Sequence, residues 1–326
     1  MAQSDAPSRV ALAAANYCAA PELFDPSFKM ILSTAIQKVS EKYRAQLRKP
    51  ANEMGRDVKM FPGIIKWAKE GFPIAKGRVV GDTFRVTLSQ VRACRPPGIT
   101  DTPVLSIYPR MRFEELAFHF NMEHVQEERI WEGKLNGRLA SCFSTFAFDR
   151  LHTLLVPNRD EQHLQLLSKE IHSWVREVAD LVGTKIPGFM IAYNSLGAYA
   201  SVPQLHLQTI VRPAGLPIMD AQWKHNNDDG GRPYPLACNK YVNGCDAWKW
   251  ISERHRADRP YNLVYAPTGI YCFPRKFQGS YQRADWTGGF AWYECAGNMI
   301  TFRDRDYDAL TLEMILDEYA KMSDDL

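Results

Sequence analysis

The chain has 326 residues, of which 45% are hydrophobic, 24% charged and 12% aromatic, the proportions of a globular protein with material for one large domain or two modest ones. Forty Lys and Arg against 37 Asp and Glu leave a formal net charge of +3, spread along the chain without a basic block, which argues against a general nucleic-acid binder. No stretch reaches the roughly 18 consecutive apolar residues that a membrane-spanning helix requires, so no membrane association is expected.

Arg9 followed by Val10 to Ala15 loosely mimics a signal peptide, but Asp5, Asn16 and Tyr17 spoil the acid-free leader and the apolar core, and a cytoplasmic location is expected instead. The seven cysteines, Cys18, Cys94, Cys142, Cys238, Cys245, Cys272 and Cys295, are odd in number, scattered, and contain no Cys-x-x-Cys pair. That usage suits a reduced protein with Cys as a small buried apolar residue. A zinc site on Cys238 and Cys245 would need two more ligands, and His225 or His255 would supply them only by accident of folding. Neither a metal nor a cofactor is expected.

In chain order, Met30, Ile31, Ala35, Val39, Tyr43 and Leu47 recur at helical spacing with Lys38, Glu41, Lys42 and Arg44 on the other face, which predicts a surface helix over 25–47. A loop over 49–63 and a short helical piece over 64–69 complete an N-terminal helical extension, 1–75, ahead of a main domain, 76–326. Arg78 to Leu88 reads as a hairpin around Gly81-Asp82. After the Pro96-Pro97-Gly98 break, 112–129 reads as partly helical, and 138–148 and 151–157 as strands. Leu164, Leu167, Ile171, Trp174, Val175, Val178, Leu181 and Val182 share one helical face, with Asn158 or Asp160 available to cap it and Gly183 to end it. Strands follow at 189–193 and 205–211, then a polar loop over 224–232, a hairpin over 261–274 and a terminal helix over 308–322. Trp248, Trp250, Trp286 and Trp292 read as core or interface residues. This order implies an α+β fold with a mainly antiparallel sheet, and with no long linker it reads as one continuous fold.

The chemistry concentrates between Tyr193 and Gln208. Side chains alternate on a strand, so Gln204, His206 and Gln208 face one way while Leu205 and Leu207 enter a core. The preceding loop carries Asn194, Gly197 and Ser201, short polar side chains and flexible backbone N–H groups suited to a phosphate. A neutral imidazole is a competent nucleophile toward phosphorus near pH 7; the plainer alternative is a half-buried sheet histidine. His119 and His124, with Glu123 between them, do not match His-Glu-x-x-His, and neither a P-loop nor a Rossmann glycine string is present. Arg275 and Lys276 are candidates to meet a phosphate, although a surface basic pair is the commoner explanation.

The string Tyr193-Asn194-Ser195-Leu196-Gly197-Ala198, followed by Leu205-His206-Leu207-Gln208, resembles the signature of the histidine-triad superfamily in its transferase branch, and most of all the GDP-sugar phosphorylases. It is more distantly similar to galactose-1-phosphate uridylyltransferase and diadenosine tetraphosphate phosphorylase. His152 to Pro157 with His163, Pro260 to Leu263 with Phe273 to Lys276, and Glu294 to Met299 extend the resemblance over about residues 140–320. The first 130 residues match no such pattern.

The resemblance implies a histidine-triad-like, mainly antiparallel sheet with flanking helices. It implies a nucleotidyltransferase with His206 as nucleophile and Gln208 as the amide that hydrogen-bonds the transferred phosphoryl group. Asn194 and Ser201 become phosphate-loop contacts, with Ser195, Gly197, Gln204 and His152 around the substrate. Gln204 stands where the family has His, a zinc ligand in some uridylyltransferases, which argues against such a zinc site here. Gln204 either bonds a neighbouring strand or alters substrate choice; His152 either packs near the site or anchors its strand. An amide at position 208 cannot deliver a proton, which suits reactions between acidic phosphates such as phosphorolysis. The expected partners are therefore a nucleoside diphosphate sugar of GDP-sugar type, or a dinucleotide, and inorganic phosphate. The reaction would run through a covalent histidine–nucleoside monophosphate. A nucleotide hydrolase of the same fold and a non-catalytic nucleotide-binding protein are the alternatives, and the sequence specifies no oligomeric state.

Overall fold

The computed structural model describes residues 77–88, 103–108, 119–126, 129–143, 152–225 and 231–324. The helix expected over 25–47, the segments 49–63 and 64–69, the extension 1–75, the Pro96-Pro97-Gly98 break, half of 112–129 and the end of the strand expected over 138–148 lie outside them. The expected first hairpin forms. Strand β1 (Gly77–Val80) pairs antiparallel with β2 (Phe84–Leu88), and Gly81 and Asp82 turn with φ of 59° and 60°, the left-handed backbone that Gly and Asp tolerate best.

A short helix, α1 (Glu123–Gln126), precedes strands β3 (Arg129–Leu135) and β4 (Arg138–Phe143). Asn136 and Gly137, with φ of 47° and 78°, make the two-residue turn between them. An Asn-Gly pair between strands is a strong hairpin signal, and the short helix α1 lies within the stretch 112–129 expected to be partly helical. Then come β5 (Thr153–Pro157), α2 (Lys169–Gly183), β6 (Phe189–Asn194), β7 (Leu207–Val211), β8 (Trp223–Lys224), β9 (Arg232–Pro233) and β10 (Asn239–Tyr241). The chain continues through α3 (Gly244–Arg256), β11 (Tyr261–Ala266), β12 (Gly269–Pro274), α4 (Trp292–Cys295), β13 (Asn298–Thr301), α5 (Asp304–Ala309) and α6 (Leu312–Met322).

Eight strands form the main sheet in the order β10-β12-β11-β6-β7-β5-β4-β3, and every neighbouring pair is antiparallel. This is the α+β architecture expected from the element order. One face packs on α2: Ile171, Trp174, Val175, Val178 and Val182 meet Ile191, Tyr193, Leu205 and Leu207 in one buried cluster. On the other face Met190, Ala192 and Ile210 pack with Trp292, Met299, Ile315 and Tyr319. Even and odd residues of β6 thus enter different cores, as the two-residue period of a strand requires. Each fully buried Val, Leu or Ile contributes about 1.5–3 kcal/mol, so the two cores hold the central strands β6 and β7 from both sides. The second core also takes Val80, Phe84, Val86 and Leu88 of the small sheet β1-β2-β13, in which β13 runs parallel to β2.

Several boundaries differ from expectation. Helix α2 starts at Lys169, capped by Ser168, whose hydroxyl accepts the Ile171 amide at 3.2 Å; Asn158 precedes only a three-residue 3-10 turn, Arg159–Glu161. Leu164 forms a β-bridge with Gln204. Its apolar side chain fits the helical spacing by coincidence, because 163–165 pairs with 203–205, the segment that leads into β7. The terminal helix is two helices, divided at Leu310-Thr311, with the Thr311 hydroxyl capping the second. Helix α3 has no counterpart in the sequence reading. The ends of the polar loop over 224–232 pair as β8 and β9. Cys142, Cys238, Cys245, Cys272 and Cys295 are free thiols, and no helix among the described residues is long and apolar enough to cross a membrane.

Candidate active site

Strand β7 lies between β6 and β5, with Gln208 opposite Ala192 on one side and Leu154 on the other. His152, two residues before Leu154, is therefore the diagonal neighbour of Gln208 on the same face. Its Nε2 lies 3.1 Å from Gln208 Oε1, and the Trp292 indole Nε1–H donates to that same oxygen at 2.7 Å. An amide oxygen only accepts, so His152 carries its proton on Nε2. The Gln208 oxygen is held by two donors, and its NH2 group points away from them as a donor.

His206 is two residues before Gln208 and shares its face, although hydrogen-bonded strand structure begins only at Leu207. Its Nδ1 lies 2.9 Å from the carbonyl oxygen of Gln204. A carbonyl cannot donate, so Nδ1 carries the proton and Nε2 of the neutral ring holds the lone pair. The His206 backbone N–H donates to Gln165 Oε1 at 2.9 Å, and the ring lies 5.8 Å from that of Phe120. His206 and His152 are both buried at 2% exposure, so both sit in a low-dielectric setting where directed hydrogen bonds count for more than in water.

Gln165 is a residue that sequence reasoning missed. Beyond β6 the strands part, and its Nε2–H groups donate to the carbonyls of Asn194 (2.7 Å) and His206 (3.3 Å) while Oε1 takes the His206 amide. One side chain thus replaces the lost backbone ladder. The only signal was a glutamine among leucines, hidden by the apparent helical period.

Several of the expected substrate contacts make hydrogen bonds within the protein framework. Gln204 accepts the Phe120 amide at 2.7 Å and donates to the Arg159 carbonyl at 3.1 Å, and neither partner lies in a strand. Asn194 Oδ1 accepts from Asn262 Nδ2 at 2.6 Å and from the Trp292 amide at 3.1 Å. Ser195, fully buried, accepts the Tyr261 amide at 2.9 Å and donates to the Leu196 carbonyl. Ser201 lies on the loop and is partly exposed.

Gly197 turns the same loop at φ +76°, where an added Cβ would lie 2.3 Å from Phe277 Cδ1. Both the conformation and the clash penalise a side chain, so Gly197→Ala should cost about 2 kcal/mol or more, read as a lower urea midpoint with an unchanged slope.

Arg275 corrects the expectation of a surface pair: it is fully buried, while Lys276 is half-buried. Trp292 is in the core as expected, yet its indole touches Gln208. Cys295 is no rival nucleophile, because burial pushes its thiol up to about 12 despite the opposing pull of Arg275. No group of three or more His, Cys, Asp or Glu among the described residues is arranged to hold a metal.

Behind Gln204, the Arg159 guanidinium pairs with Glu132 at 3.1 Å, and Glu132 also accepts from Ser141 (2.6 Å) and Arg129 (3.0 Å). Burial alone would raise the Glu132 carboxyl, but the Ser141 hydrogen bond and the two arginines hold it below its ordinary value of 4.5. A depressed folded-state value stabilises the fold above the unfolded value and stops doing so as pH falls through the folded one. Glu132→Gln should therefore lower Tm at pH 7 and flatten the decline of Tm below about pH 4.5, which a melting series from pH 7 to pH 3 would show.

An eight-stranded antiparallel sheet with helices packed against it, and with His206, Gln208 and His152 gathered at its central strands, defines an α+β protein. Residues 146–210, which hold His152, His206 and Gln208, match the family model described as the GDPGP1-like N-terminal domain. Among solved structures, yeast Ap4A phosphorylase Apa2 is similar over 76% of this chain and 86% of that one, at 13% identity and a TM-score of 0.50. Its complex with Ap4A covers 76% and 88%, at 14% identity and a TM-score of 0.48. Identity this low speaks for the fold. No curated protein matches the sequence significantly.

Proposed function

We propose that this protein is a nucleotidyltransferase of the nucleotide-phosphorylase kind, with His206 as nucleophile. The observation that carries the reading is the Nδ1–H···O=C bond to Gln204, which leaves the lone pair of the neutral ring on Nε2. Nε2 attacks the α-phosphorus of a nucleoside diphosphate sugar or a dinucleoside polyphosphate. The P–O bond to the leaving phosphate breaks, the electron pair departs with that phosphate, and a histidine-linked nucleoside monophosphate remains. An oxygen of inorganic phosphate then attacks the same phosphorus, and the N–P pair returns to Nε2. Splitting one displacement into two lowers each barrier. The Gln208 NH2 group, turned outward by Trp292 and His152, donates to a non-bridging oxygen as charge builds.

His206 is almost wholly buried, so admitting a phosphate requires its surroundings to open. The Phe120 segment, tied to the site through Gln204, is the neighbour whose displacement would uncover the ring. The GDPGP1-like match and the fold shared with an Ap4A phosphorylase support the reading.

The test uses GDP-glucose and Ap4A, labelled at the α-phosphorus, with and without inorganic phosphate. Phosphate-dependent release of a nucleoside diphosphate is expected. Phosphate-independent release of a monophosphate would make the protein a hydrolase, and binding without turnover would make it a nucleotide-binding protein.

A further inference from the structure

Arg275 is fully buried just beyond β12, and no carboxylate among the described residues pairs with it. Its Nη1 donates to Asn262 Oδ1 at 3.0 Å and to the Phe290 carbonyl, its Nη2 donates to the Tyr281 hydroxyl at 3.0 Å, and the guanidinium lies 5.0 Å from the Tyr199 ring. A desolvated cation among neutral partners is costly, and the direction of these hydrogen bonds points to what it does.

A guanidinium only donates. The atom of Asn262 facing Arg275 must therefore be the oxygen, which turns Asn262 Nδ2 toward Asn194 Oδ1 at 2.6 Å and the Ala198 carbonyl at 2.9 Å. Asn194 Oδ1, confirmed as the acceptor, also takes the Trp292 backbone N–H at 3.1 Å. That bond seats the indole whose N–H holds the Gln208 oxygen at 2.7 Å. Each link leaves the next amide one choice of orientation, and the series ends by presenting the NH2 group of Gln208.

We infer that Arg275 is a positioning residue for Gln208, acting through Asn262, Asn194 and Trp292; the inference rests on the reading of Gln208 as the phosphoryl-binding amide. Arg275→Lys keeps the charge and loses the fork that fixes Asn262. The indole N–H resonance of Trp292, identified by its absence in Trp292→Phe, should shift and exchange faster in Arg275→Lys, and should stay put in Ile251→Val, a core truncation on the opposite sheet face. With α-labelled GDP-glucose and phosphate, kcat should fall about tenfold, the worth of one transition-state hydrogen bond, with KM within twofold. Combined with Gln208→Ala, Arg275→Lys should add no further loss, because both act on one group. An unmoved indole resonance, or losses that multiply, would overturn the inference. Asn262→Asp, which removes the donor to Asn194, makes the same cut if Arg275→Lys does not fold. Should the wild-type protein turn over neither GDP-glucose nor Ap4A, the proposed function falls, and the indole resonance alone decides the role of Arg275.

Discussion

His206→Gly should reduce turnover of an α-labelled nucleotide substrate by on the order of 10³-fold or more, the scale on which loss of a covalent nucleophile registers. The loss should appear in kcat, because in the proposed reaction the ring acts on phosphorus in the transition state and contributes little to holding the base or sugar. The ring also packs at a tilt against Phe120 and bonds the Gln204 carbonyl, so a stability cost of about 2–4 kcal/mol accompanies its removal. Two controls separate chemistry from folding. A melting curve shows whether the variant is folded at the assay temperature. Free imidazole, admitted to the cavity left by the side chain, should restore part of the rate in His206→Gly and none in a folded variant truncated elsewhere, such as Ile251→Val.

Gln208→Glu is the second large effect, and it isolates electrostatics from shape. A glutamate is nearly isosteric, and its oxygen can still accept from Trp292 and His152 as the amide oxygen does, so the framework should survive with little change in Tm. The group turned toward the substrate changes from a donating NH2 to a carboxylate oxygen. A donor to the developing phosphoryl charge becomes a repulsive anion, and removal of one such donor costs about 10²–10³ in kcat. The fall should be larger than for Gln208→Ala, which removes the donor without adding charge. A smaller loss in Gln208→Glu than in Gln208→Ala would mean that Gln208 serves only to fill space.

Much of the fold was legible because it follows local periods. The 3.6-residue spacing of Ile171, Trp174, Val175 and Val178 found α2, and β-branched and aromatic runs around short turns found the hairpins at 77–88 and 261–274. Two-residue alternation put Gln204, His206 and Gln208 on one face, whereas strand structure begins only at Leu207 and reaches Gln208 alone of the three. What stayed hidden depends on contacts between residues far apart in sequence. Gln165 looked like part of a helix because leucines on an extended segment imitated a helical face. Asn194 and Ser195 looked like phosphate ligands because short polar loop residues serve either a ligand or a framework, and only the position of Asn262, Tyr261 and Trp292, some 66 to 98 residues away, decides which. Arg275 looked like a surface cation because burial of a charge is unusual. One miss was avoidable: Asn136-Gly137 is a turn signal readable from two residues.

The most direct measurement is acid-free denaturing quench of the wild-type protein in the presence of α-labelled GDP-glucose or Ap4A and no inorganic phosphate, followed by peptide mapping. A nucleoside monophosphate should be found on the peptide carrying His206, stable in base, lost in mild acid, and discharged when phosphate is added before the quench. Full turnover with no label on that peptide, and an unchanged rate in His206→Ala, would contradict the account.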